Sequence, residues 1–145
     1  MKSIVNVIIA LILLTSFSSF AGSGKAIVPL WSAGPNHHTF IDISNITDNS
    51  LYVELTVYRR SGDVVPSSNL TFDNINASTG EIAPNNTGYI LVSGFSHEEY
   101  GYATISWKNK NGDDVVGLVS QGVRVINPNG NRAEYAVIVN NGMPF

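Results

Sequence analysis

The stretch LYVELTVYR, residues 51–59, alternates strictly: Leu51, Val53, Leu55 and Val57 fall on one side, Tyr52, Glu54, Thr56 and Tyr58 on the other. Period two is the signature of an extended strand with one covered face, because successive side chains of a strand point in opposite directions. YGYATISWK repeats the pattern, with Ala103, Ile105 and Trp107 expected inside and Tyr102, Thr104 and Ser106 outside. KAIVPLW, TFIDIS, NLTF, GYILVS, DVVGLVS and VRVI read as further strands. AEYAVIVN is apolar on both faces from Ala136 to Val139, which predicts a central strand covered on both sides. No window after the N-terminal run sustains an apolar 3.6-residue period with caps.

Turn chemistry separates these runs. RRSGDVV, NKNGDD, NPNGN and VNNGM combine glycine with asparagine or aspartate, the residues that tolerate the positive φ of tight turns. SWKNKNGDDVVGLV predicts a hairpin across residues 106–119. The less regular, polar stretch from Val65 to Asn86 predicts a long crossover between sheets or a mobile binding loop. Together these features predict an all-β protein built as a single antiparallel β-sandwich or a barrel-like variant.

The N-terminus reads differently. In MKSIVNVIIALILLTSFSSFAGSG a lysine precedes an apolar run from Ile4 to Leu14, then small residues with Ser19 and Ala21 placed for signal-peptidase cleavage. The run is shorter than the roughly 20 residues of a membrane span. We expect residues 1–21 to be a cleavable signal peptide and residues 22–145 to be one domain, periplasmic or secreted from a bacterium. That domain has no further run of membrane length. The chain contains no cysteine, so its fold rests on packing without disulfides, and thiol chemistry and thiolate metal sites are excluded. Eight basic residues against eleven acidic ones, with no basic stripe, argue against nucleic acid or an anionic membrane as partner.

Catalytic constellations do not emerge. GFSHE has Glu98 where a nucleophile elbow needs its second glycine, and no phosphate-cradling loop occurs. The pair His37 and His38, with His97 and Glu98 from a distant segment, forms the one metal or metal-hydrolase alternative. On an extended strand, however, the adjacent histidines point to opposite faces. NKNGDD offers oxygen donors without the acidic twelve-residue loop of a calcium site, and reads as a turn. Four Asn-x-Ser/Thr triplets, at Asn45, Asn69, Asn76 and Asn85, read as turn asparagines, with glycosylation left open. Phe145 at the C-terminus is expected to turn back with Met143 against an open edge or sheet end.

The outward-facing tyrosines are the remaining candidates. Tyr52, Tyr58, Tyr100 and Tyr102 are expected on exposed sheet faces, where tyrosine supplies apolar area with a polar tip. The expected function is therefore that of a non-catalytic binding or accessory domain without a cofactor, contacting a protein or a surface glycan. A subunit of a surface assembly that pairs through strand edges, including a homo-oligomer, is the alternative.

The run TFIDISNITDNSLYVELTVYRRSGDVV, followed by EIAPNNTGYI and YGYATISWK, resembles small exported bacterial all-β domains of unknown function. It is more distantly similar to the sensory rhodopsin transducer family at Ile41–Asn45, Val53–Tyr58 and from Pro84 onward. The resemblance implies a β-sandwich and carries over no functional residue.

Overall fold

The computed structural model describes residues 22–127 and 131–145; the expected signal peptide and the centre of the NPNGN turn lie outside them. Among these residues nine strands form: β1 (Ser23–Ala33), β2 (His37–Asn45), β3 (Leu51–Arg59), β4 (Leu70–Asp73), β5 (Glu81–Ile82), β6 (Thr87–Val92), β7 (Glu99–Asn109), β8 (Leu118–Ile126) and β9 (Ala133–Ile138). They make two packed antiparallel sheets, one ordered β1-β7-β3-β5 and the other β4-β6-β2-β8-β9. Successive strands alternate between the sheets all the way from β1 to β8, so among the described residues only β8 and β9 are both consecutive and paired.

Period-two burial is carried through where the sequence predicts it. Leu51, Val53 and Val57 of β3, and Ala103, Ile105 and Trp107 of β7, point into the core beside Ile41, Ile43, Ile82, Ile90 and Leu118. Each fully buried branched side chain contributes about 1.5–3 kcal/mol of transfer free energy, and this packing stands in for disulfides. On β1 a bulge corrects the phase. Val28 faces Ala103 but Trp31 faces Gly101, so Pro29 and Leu30 together oppose one residue. The extra residue lets Ala26 and Val28, then Trp31 and Ala33, all point inward. The Trp31 indole N–H donates to the Tyr58 carbonyl at 2.9 Å.

Two polar joints tie the layers. The Thr39 hydroxyl on β2 donates to the Ser32 carbonyl on β1 at 2.8 Å and accepts from the Ser32 N–H at 3.0 Å. Asn45, 2% exposed, donates to the carbonyls of Asn49 at 2.8 Å and Ala83 at 3.0 Å, and accepts from the Thr47 N–H at 3.0 Å. Buried amides of this kind are tolerated because their hydrogen bonds are satisfied. Of the other triplet asparagines, Asn76 accepts from Ser78 and Thr79 within a turn and Asn85 adopts positive φ, whereas Asn69 donates across to the Ser93 carbonyl on a distant segment.

Several expectations are corrected. Residues 106–119 form no hairpin: β1 and β3 already occupy both sides of β7, so the chain crosses to the other sheet before β8 begins. DVVGLVS and VRVI are not two strands, because Leu118–Ile126 runs through both, while Val115 and Val116 stay exposed outside it. AEYAVIVN is not central. β9 is an edge strand, with Tyr135 54% and Ile138 66% exposed. The 65–86 segment is a crossover that visits both sheets, placing β4 in one and β5 in the other. Of the C-terminal pair, Phe145 packs on the core and exchanges backbone hydrogen bonds with Leu118, whereas Met143 is exposed.

Candidate binding face

Because β3 and β7 pair without a break from Leu51↔Asn109 to Arg59↔Gly101, their outward side chains stand in rows on the solvent face of the four-stranded sheet. Tyr58 faces Tyr102, Thr56 faces Thr104, Glu54 faces Ser106 and Tyr52 faces Lys108. All four candidate tyrosines therefore belong to one surface, divided between its two ends.

At one end Tyr58 and Tyr102 stack, their ring centroids 4.9 Å apart and their planes at 16°. Tyr100 lies next along β7, and the Arg60 guanidinium both donates to its hydroxyl at 2.9 Å and sits 5.6 Å from its ring centroid. The hydrogen bond to Tyr100 also holds the guanidinium pKa above its ordinary value. Gly101 makes this geometry possible: a Cβ there would come within 1.9 Å of the Tyr58 carbonyl oxygen, so only glycine lets the strands close here. The result is an aromatic platform with one fixed cation.

Tyr52 lies at the other end, six residues along the strand and about 20 Å from the platform. Lys108 and Lys110 approach its ring at 5.7 and 5.9 Å, and Lys110 forms an ion pair with Glu81 at 2.8 Å. That contact raises the Lys110 pKa and lowers that of Glu81. Beside them a groove of about 520 Å³ opens between β3 and the turn at residues 77–80, with Glu54, Leu55, Phe72 and Lys108 among its lining residues. Gly80, at φ +74°, brings the chain onto β3 here, its carbonyl accepting from the Val53 N–H at 2.8 Å just ahead of β5.

The histidine set does not assemble. His37 and His38 open β2 and point to opposite faces, as an extended backbone requires. His37 Nε2 lies 3.8 Å from a Glu98 carboxylate oxygen, which is 3.9 Å from Arg124, while His97 lies 3.9 Å from Glu99. His38 instead packs edge-on against Phe40, which packs edge-on against Tyr89, on the outer face of the five-stranded sheet. Among the described residues no three His, Asp or Glu side chains are placed to hold a metal ion.

Alternation alone places the tyrosines, but it does not reveal Arg60 or the groove. Arg60 follows the last residue of β3, and its partner lies 40 positions away. Glu54 shares the outward phase of Tyr52, a usable signal, whereas the 77–80 wall depends on a crossover whose path no periodicity encodes.

The fold and this face define a small antiparallel β-sandwich bearing a tyrosine–arginine platform. Compared with family models, with curated proteins and with solved structures, the chain matches none.

Proposed function

We propose that this chain is an exported, non-catalytic binding domain that engages a partner protein through the outer face of the four-stranded sheet. The observation that carries the reading is the stacked pair Tyr58 and Tyr102 beside the Arg60–Tyr100 contact. Tyrosine and arginine are among the side chains most enriched where binding energy concentrates in protein interfaces. Mutual stacking and the hydrogen bond restrict the rotamers of these side chains before binding, so less side-chain entropy remains to be lost on contact. Export is supported by the order of the first 21 residues, a charged start, an apolar run and small residues.

Two measurements test the proposal. The N-terminus of the extracytoplasmic product should begin at Gly22, and a full-length product retained in the cytoplasm would refute export. A photo-crosslinking residue at position 104, between the two ends of the face, should give a discrete adduct in cells that Tyr102→Ala or Arg60→Ala abolishes. The same probe at Thr71, on the other sheet, should not give it. Equal adducts from both faces, or adducts to polysaccharide alone, would overturn the protein-binding reading.

A further inference from the structure

Strand β9 has the sequence of a covered strand in an uncovered place. Its side chains are apolar on both faces, yet among the described residues β8 flanks one side only, and Tyr135 and Ile138 stand in solvent. The other three sheet edges are guarded in ways that discourage pairing. β1 carries Lys25, Pro29 and the bulge, β4 is four residues long, and β5 is two. β9 runs six residues in unbroken register with β8, without proline, lysine or bulge, and with Glu134 as its one charge.

It also ends an apolar row. Leu91, Phe40, Val123 and Ala136 lie in register across β6, β2, β8 and β9 on the solvent face of the five-stranded sheet.

We infer that β9 pairs antiparallel with β9 of a second copy of this chain, about a two-fold axis at Ala136, joining the two larger sheets edge to edge. The occupant is a second copy because β9 complements itself in that register. Ala136 faces its own counterpart, Tyr135 faces Val137, and Glu134 faces Ile138, so no like charges are opposed. The apolar row then continues through the axis into the second molecule. A six-residue edge falls short of the roughly 1,600 Å² of a standard stable interface, so the dimer forms reversibly. This pairing lies on the sheet opposite the tyrosine platform and stands or falls independently of the proposed function.

The absence of cysteine makes the test clean. Residues directly opposed in an antiparallel pair have Cα atoms roughly 4.5–5.5 Å apart, within disulfide reach. Ala136→Cys should therefore cross-link to itself under mild oxidation about tenfold faster than Ala133→Cys, whose counterpart lies about 20 Å away. In the Ala136→Cys background, Ile138→Glu opposes two glutamates at each of two symmetric sites and should slow cross-linking about tenfold. Ile138→Lys places a cation there and should not slow it. The unmodified chain should gain mass with concentration in sedimentation. Equal cross-linking of the two cysteine variants, equal effects of Ile138→Glu and Ile138→Lys, or a single-chain mass at millimolar concentration would each overturn the pairing.

Discussion

The two outer faces of the sandwich are finished differently. On the four-stranded sheet, the polar residues Thr56, Thr104, Ser106 and Glu54 separate Tyr52 from the stacked Tyr58 and Tyr102, and the β1 edge carries a proline and a bulge. On the five-stranded sheet, an apolar row crosses to an edge strand that carries neither. The first is a solvated surface with its tyrosine–arginine cluster concentrated at one end. The second keeps greasy side chains in water, at a cost proportional to the area exposed. Under the two proposals above, one molecule presents two kinds of contact surface, one based on positioned side chains and one on sheet pairing.

Four measurements test how separate these surfaces are. Asn45→Ala removes the amide that joins the end of β2 to the carbonyls of Asn49 and Ala83, leaving buried acceptors unpaired. It should destabilise both faces together by about 3 kcal/mol in urea unfolding. A loss confined to one sheet by hydrogen exchange would show that the layers are uncoupled. Gly101→Ala drives a Cβ against the Tyr58 carbonyl and should cost about 2 kcal/mol. Gly122→Ala, in the other sheet, meets the Val137 Cβ at 2.9 Å; that atom is fixed to its backbone, so β9 itself must shift, and because an edge strand yields more readily than the central β7 the cost should be nearer about 1 kcal/mol. Equal costs would erase the distinction between a tightly closed and a compliant sheet.

A double-mutant cycle on Tyr58 and Tyr102 should give a coupling of about 0.5 kcal/mol, the low end for aromatic pairs because both rings reach solvent. The smallest effect concerns pH. The His38 imidazole is held below its ordinary 6.5 by burial first, then by Arg132 and His37. The folded state thus binds this proton less tightly than the unfolded chain does. Its contribution to stability is complete above pH 6.5 and is lost as pH falls through the lower folded value. His38→Gln should flatten that slope in urea midpoints measured on either side of pH 6.5, and an unchanged slope would assign it to another group.

Alternation made most strands legible, because a half-covered strand must segregate its side chains whatever its neighbours are. Pairing was not legible to the same degree. Trp107 and Leu118 both point inward, as a hairpin would place them, yet they belong to different sheets, since nothing local records that β7 is already flanked on both sides. β9 misled for a different reason: its composition reports the burial it is suited to, while its position leaves it uncovered. The tyrosine face followed from phase alone. The Arg60 contact and the groove wall did not, because both depend on segments brought together by crossovers.

The shuttling of the chain from one layer to the other has a kinetic consequence. With β8 and β9 as the one consecutive pair among the described residues, almost no ladder there can close as soon as two neighbouring segments exist. β1 waits for β7, and the central β2 waits for β6 and β8. Each closure links distant parts of the polypeptide, so its entropy must be lost before contacts compensate for it, and topologies of this kind fold in milliseconds to seconds rather than microseconds. A nascent chain halted ahead of residue 118 would lack the central neighbour of β2, and native order should arrive late and all at once.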